Sequence, residues 1–256
     1  MLETHSLSVR FGGHVAVNDV SCAYAPGTLT AIVGPNGAGK TTYFNLISGQ
    51  LRASAGTVTL DGRDLTGLSA PARMHAGLGR AFQLTQLFPR LSVHENVRLA
   101  LQSRQQGLGW RHIRFWRTWS DDRGLIERAD ALLERTRLTA RRDHPAADLP
   151  HGDQRKLEIA MLIALEPKVF MFDEPTAGMS VDDVPIVLAL IRELKRDGSK
   201  TILLVEHKMD VVRELADRIV VLHNGRLMAD GDPAAVIASP IVQQAYLGIS
   251  APEVAA

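Results

Sequence analysis

Short apolar runs alternate with amphipathic stretches of helical period over both ends of the chain, the pattern of an α/β fold with a largely parallel sheet. Leu29 to Val33 is a compact, mostly apolar run that predicts a buried strand leading straight into a glycine-rich loop. Lys40 to Ser48 then reads as a helix. Lys168 to Phe172 and Thr201 to Val205 predict two further buried strands. Between Leu84 and about Ala160 the strand signals thin out. Helical spacing appears instead at Val93 to Leu101, at Leu125 to Leu138 and again after Gly152. This predicts a helical subdomain inserted into the α/β core. No period of about 20 to 50 residues recurs, which excludes solenoids and propellers.

The 256 residues suffice for one large domain or for one domain carrying an insertion. Hydrophobic residues at 45% and charged residues at 22% are ordinary globular usage, so disorder is excluded. The net charge of +1 gives no whole-chain attraction to nucleic acid, and no nucleic-acid partner is expected. Cys22 is the only cysteine, which rules out an intramolecular disulfide and a cysteine zinc cluster and suits a reducing compartment. It lies in a strand-like stretch and reads as a small core residue. The start, MLETHSLSVRFGG, has no basic patch followed by an apolar run, so no signal peptide is expected. Apolar stretches such as IVVLH from Ile219 are strand length, far short of the ~20 residues that cross a bilayer.

One segment changes this even picture. Arg104 to Ser120 holds four arginines, no acid and all three tryptophans of the chain. It suits a surface that meets a membrane protein or lipid headgroups. The alternative is an insertion whose tryptophans pack on the helical subdomain.

The strongest chemical signal is GPNGAGKTT from Gly34 to Thr42, which lies after a predicted strand and before a predicted helix. Gly34, Gly37 and Gly39 let the backbone curl so that its N–H groups converge on phosphate oxygens. Pro35, Asn36 and Ala38 complete the loop, and Thr42 follows it in the helix. The helix adds the positive end of its dipole. Lys40 is placed to bridge β- and γ-phosphates, and the Thr41 hydroxyl to ligate Mg²⁺. The second half of the site is VFMFDE, about 130 residues further on. Asp173, at the end of its apolar strand, suits Mg²⁺ held through water, and Glu174 suits a general base for the attacking water. His207 follows the strand TILLVE, where an imidazole can reach a γ-phosphate and hold that water in line.

Together these residues resemble the ATP-binding cassette family over essentially the whole chain. The resemblance implies ATP and Mg²⁺ as cofactors. It also implies a P-loop NTPase core with a mostly parallel sheet, an antiparallel β subdomain and an inserted helical subdomain. On that reading 1–256 is a single cassette domain, 85–160 its helical part and 239–256 a C-terminal tail. Gln83 in GRAFQ is similar to the family's glutamine that contacts Mg²⁺ and relays the state of the transmembrane subunits. Phe11 is similar to the aromatic that stacks on adenine, with Val17 against the same ring; a core Phe11 is the alternative. DLPHGDQRKLEIA stands in the place of the family's signature sequence, usually LSGGQ. Leu149, Gly152 and Gln154 keep the pattern, whereas Pro150, His151 and Asp153 depart from it. In this family two cassettes pair head to tail, so His151, Gly152 and Asp153 would close over ATP held by the other subunit. Ser180 stands where the family often has an aspartate.

Within the family, GLGRAFQLTQLFPRLSVHENV, QRKLEIA, DEPTAGMS and QQAYLG resemble cytoplasmic subunits of branched-chain amino-acid importers. That resemblance implies two multi-span permeases, a second cassette (paralogue or second copy), an external solute-binding protein and a place on the inner face of a bacterial membrane. An export or lipid-extraction ATPase is the first rival, and a soluble non-transport scaffold the second. A P-loop kinase or GTPase leaves Gln83, the helical insertion and His207 unexplained.

Overall fold

The computed structural model describes residues 1–81, 87–106, 123–240 and 242–243. In chain order its strands are β1 (Leu2–Phe11), β2 (His14–Tyr24), β3 (Leu29–Val33), β4 (Ala55–Leu60), β5 (Arg63–Asp64), β6 (Leu78–Ala81), β7 (Val169–Asp173), β8 (Thr201–Val205), β9 (Arg218–His223) and β10 (Arg226–Gly231). The helices are α1 (Lys40–Ser48), α2 (Ala70–His75), α3 (Val93–Gln106), α4 (Arg123–Arg135), α5 (His151–Ala164), α6 (Val184–Arg196), α7 (Met209–Leu215) and α8 (Pro233–Ala238).

Two sheets result. The larger runs β10-β9-β3-β8-β7-β6, parallel from β6 to β9, with β10 closing the edge as an antiparallel hairpin partner. The smaller, β2-β1-β4-β5, is antiparallel throughout. The continuous apolar character of β7 and β8 follows from burial on both faces. Val169, Met171, Leu203 and Val205 join one core together with α1 and the antiparallel sheet. Phe170, Phe172, Ile202 and Leu204 point the other way, into a core shared with α3, α4, α5 and α6. Alternation along two strands therefore serves two layers at once.

α3, α4 and α5 pack on one another, and their inward faces (Val97, Leu101, Ala129, Leu133, Leu157) all lie in that second core. Two expected boundaries move. The helix expected to reach Leu138 ends at Arg135, because the chain turns through Arg137 at φ 56° into a short 3₁₀ turn over Thr139–Arg141. The strand expected over Lys168 to Phe172 runs from Val169 to Asp173, which takes Asp173 into register with Val205. Cys22 is a buried free thiol in the core under the antiparallel sheet; burial pushes its pKa up, with hydrogen bonds from Tyr24 and Tyr43 opposing.

Candidate active site

The phosphate loop is set by what its glycines permit. Gly34 has φ 153°, and a Cβ there would lie 2.1 Å from the Leu222 carbonyl oxygen. Gly39 has φ 96°, and its Cβ would fall 2.5 Å from the Ala16 carbonyl oxygen. Neither position admits a side chain. Gly37, at φ 79°, instead borders open space. Pro35 is half-buried, Asn36 exposed and Ala38 buried, and the Ala38 N–H donates to the Pro35 carbonyl at 3.1 Å. Gly39 caps α1 with no side-chain hydrogen bond, and no acid occupies the first turn. The positive end of the helix thus stays available to an anion. Thr41 is exposed and Thr42 half-buried. Lys40 is buried, its Nζ donating to the carbonyls of Gly34 at 2.7 Å and Pro35 at 2.9 Å. Burial lowers its pKa, and the carboxylates of Glu174 and Asp173 oppose that shift.

Strand order brings the remaining groups to the same edge. β8 lies between β3 and β7, with Val205 in register with both Ile32 and Asp173. Parallel strands end together, so the loops after Val33, Asp173 and Val205 emerge side by side. Asp173 is fully buried, and its Oδ2 accepts from Arg80 Nη2 at 2.8 Å. Burial raises its pKa, Arg80 works against this, and the Glu174 charge adds to it. Its Oδ1 is buried with no partner among the described residues. A native protein leaves such an oxygen bare at a cost unless water or a cation completes it. With the exposed Thr41 hydroxyl, the site offers oxygen donors, which fits Mg²⁺. Among the described residues no group of three or more His, Cys, Asp or Glu could hold a metal.

Glu174 adopts φ 48°, a left-handed conformation that is strained for this residue type. Its N–H donates to the Val205 carbonyl at 2.9 Å, and its Oε1 lies 2.8 Å from His207 Nε2. Three residues not singled out from the sequence hold this arrangement. Glu206, 3% exposed, accepts from Thr176 Oγ1 at 2.6 Å and from the His207 N–H at 2.8 Å. Arg155 Nη2 donates to the carbonyls of Asp173 at 2.7 Å and Glu174 at 3.2 Å, while its Nη1 donates to Glu158 Oε2 at 2.9 Å. Arg80 is the third. Arg80 and Glu206 are charges set in apolar stretches, which is a signal, but one that names no partner; Arg155 stands among polar residues and gives none.

His151, Gly152 and Asp153 form the first turn of α5 and make no hydrogen bond to residues 34–42 among the described residues. They meet the segment after Glu174 instead. A Cβ on Gly152 would lie 2.7 Å from Asp183 Oδ2, and one on Gly178 would lie 3.1 Å from His151 Nε2. Lys156, nearly buried, bridges Asp153 Oδ1 at 2.7 Å and Asp183 Oδ1 at 2.8 Å. Ser180 Oγ donates to Asp183 Oδ2 at 2.8 Å. Pro150 is not within the helix: it is the cap, with φ −55° and ψ 153°.

Phe11 is half-exposed at the end of β1. Val17 differs from expectation: it is fully buried, paired in register with Val9, and leaves no surface for an adenine ring. Its Cγ2 stands 3.6 Å from where a Gly39 Cβ would be, so it backs the phosphate loop. Gln83, residues 107–120 of the Trp/Arg-rich segment and the tail from 244 onward lie outside the described residues.

Residues 17–177 match the profile of the family described as ABC transporter. The chain is 38% identical over 252 residues to the high-affinity branched-chain amino acid transport ATP-binding protein LivG of Salmonella typhimurium, covering 97% of this chain and 98% of that protein. It is 36% identical over 253 residues to the corresponding protein BraF of Pseudomonas aeruginosa, with 97% and 98% covered. Among solved structures, the ADP conformation of an ATP-binding cassette of an ABC transporter superposes with a TM-score of 0.80 at 30% identity, over 97% of this chain and 99% of that one.

Proposed function

This chain belongs to the ABC transporter family, and from that premise we propose that it is the ATP-hydrolysing subunit of an importer for branched-chain or other amino acids. The observation that carries the catalytic part is the 2.8 Å contact between His207 and a strained Glu174, at the sheet edge that also bears the phosphate loop. Phosphates of ATP would rest on the N–H groups of residues 34–39 and the first turn of α1, with Lys40 leaving its loop carbonyls to meet the γ-phosphate. Thr41 and Asp173 would hold Mg²⁺, which would supply neutralisation of the charge on the phosphate oxygens. Glu174 takes the proton of the attacking water. His207, with its Nε2 proton donated to Oε1, fixes the orientation of that carboxylate. Arg155 and Glu206 hold the two loops so that neither group reorganises during the reaction. Phe11 is the exposed ring for the base, with Val17 supporting the loop from beneath.

The transport part rests on the names of the relatives and on one surface. A groove of about 430 Å³ is lined by Met74, Leu78, Ala81, Met161, Leu162 and Leu165. Phe88 and Leu99 are exposed beside it. No helix among the described residues is long and apolar enough to cross a membrane. An apolar groove on such a chain suits a partner that does cross it, and we assign this face to the permeases. By the same reading the chain works at the cytoplasmic face of the membrane. It pairs head to tail with a second cassette, whose ATP is closed by His151, Gly152 and Asp153, and is served indirectly by an external solute-binding protein.

The test is to tag this chain in its native cells, solubilise membranes gently and identify what co-purifies. Two multi-span permeases and a second cassette are expected, with loss of labelled leucine uptake when the chain is deleted. Soluble partners alone, or none, would overturn the transport reading in favour of a soluble scaffold role.

A further inference from the structure

We propose that Arg80 is a positioning residue for the metal site: it clamps one oxygen of Asp173 so that the other faces the Mg²⁺, and ties that acid to the phosphate-loop helix. The inference rests on the Mg·ATP reading above. β6 carries Arg80 beside β7, in register with Met171, two residues before Asp173. The guanidinium is almost wholly withdrawn from solvent, its side chain 5% exposed. It forks in two directions. Nη2 donates to Asp173 Oδ2 at 2.8 Å. Nη1 donates to Asn45 Oδ1 at 2.7 Å and Ser48 Oγ at 2.9 Å, both on α1. The same group stands over the Phe44 ring, 5.5 Å from its centroid.

Only a planar group with several donors can hold β7 and α1 together in this way. Bonded at Oδ2, the Asp173 carboxylate has one orientation, and Oδ1 is the oxygen left without a partner among the described residues. Oδ1 would then be held in one orientation, ready to accept from a metal-bound water. Residues that orient a metal-binding group from behind are commonly worth about 10- to 100-fold in metal affinity. Repulsion between the guanidinium and a dication runs in the opposite sense, so the two effects predict opposite outcomes when Arg80 is removed.

The experiment titrates the full chain with a non-hydrolysable ATP analogue by calorimetry, in Mg²⁺ and again in EDTA. In EDTA, Arg80→Met is expected to bind the analogue as the wild type does. The tightening that Mg²⁺ adds should fall about tenfold, and Arg80→Lys should recover part of it. Equal weakening in both conditions would assign Arg80 to packing alone and overturn the inference. Unchanged or stronger Mg²⁺ tightening would overturn it as well. If Arg80→Met does not fold, Arg80→Lys decides by the same comparison, since it keeps the charge but not the fork. A wild-type chain that binds no analogue in either condition would instead overturn the nucleotide reading itself.

Discussion

On the proposed reading two helices of this protein offer their N-termini to phosphate, and those two termini are built on opposite principles. α1 starts from a glycine, has no acid in its first turn and no side-chain cap. Its positive end is bare. α5 starts from Pro150 and carries Asp153 in its first turn, with Lys156 bridging that acid to Asp183. A carboxylate there would satisfy the dipole internally and oppose an incoming anion. Lys156 offsets that charge. Burial works to lower its pKa, but the hydrogen bonds and charges of Asp153 and Asp183 together outweigh it and the net shift is upward. Asp183 is held below the usual carboxylate range, by its hydrogen bond from Lys156 first and that from Ser180 next. One terminus is prepared by leaving groups out, and the other by compensating a charge already present. The first rests on Gly34 and Gly39, which admit no side chain; the second depends on three side chains from two segments.

Lys40→Ala should break the first terminus outright. ATP hydrolysis by the assembled complex should fall by roughly 100-fold or more, because a charge acting on the transferring phosphate is lost; steady-state phosphate release measures it. Gly39→Ala should cost roughly 2 kcal/mol of stability, from a side chain forced into a left-handed conformation against the Ala16 carbonyl. A denaturant midpoint left unchanged would show that the loop relaxes. Lys156→Met strikes the second terminus, leaving Asp153 and Asp183 without their shared cation. Hydrolysis by the complex should drop about tenfold, with a smaller loss for Lys156→Arg. Pro150→Ser sharpens the comparison from the other side. A hydroxyl restored at the cap of α5 should raise hydrolysis by the complex a few-fold, on the order of one hydrogen bond, and no change would show that the cap does not limit closure.

The same contrast explains how much was legible beforehand. Leu29–Val33, Lys40–Ser48 and Thr201–Val205 have the bounds that the pattern predicts, since an apolar run, a glycine loop and a periodic helix are local features. The end of β7 moved by one residue because pairing with β8, rather than propensity, decides where a strand stops. Val17 shows the same dependence on pairing: the family resemblance implies a contact with the adenine ring, whereas the β1–β2 register turns Val17 inward beneath Gly39.

What the sequence determined by itself is the glycine loop and the strand β3 and helix α1 that flank it, because each is written in a few consecutive residues whose local geometry is forced. What only the tertiary structure decided is who meets whom. Glu174 meets His207, Arg80 meets Asp173 across 93 residues, and Arg155 reaches the backbone of Asp173 and Glu174. Those contacts follow from β7 lying between β8 and β6 and from Arg155 of α5 reaching the end of β7. Strand order is selected by burying both faces of the sheet at once, a condition on the whole chain that no short stretch of it contains.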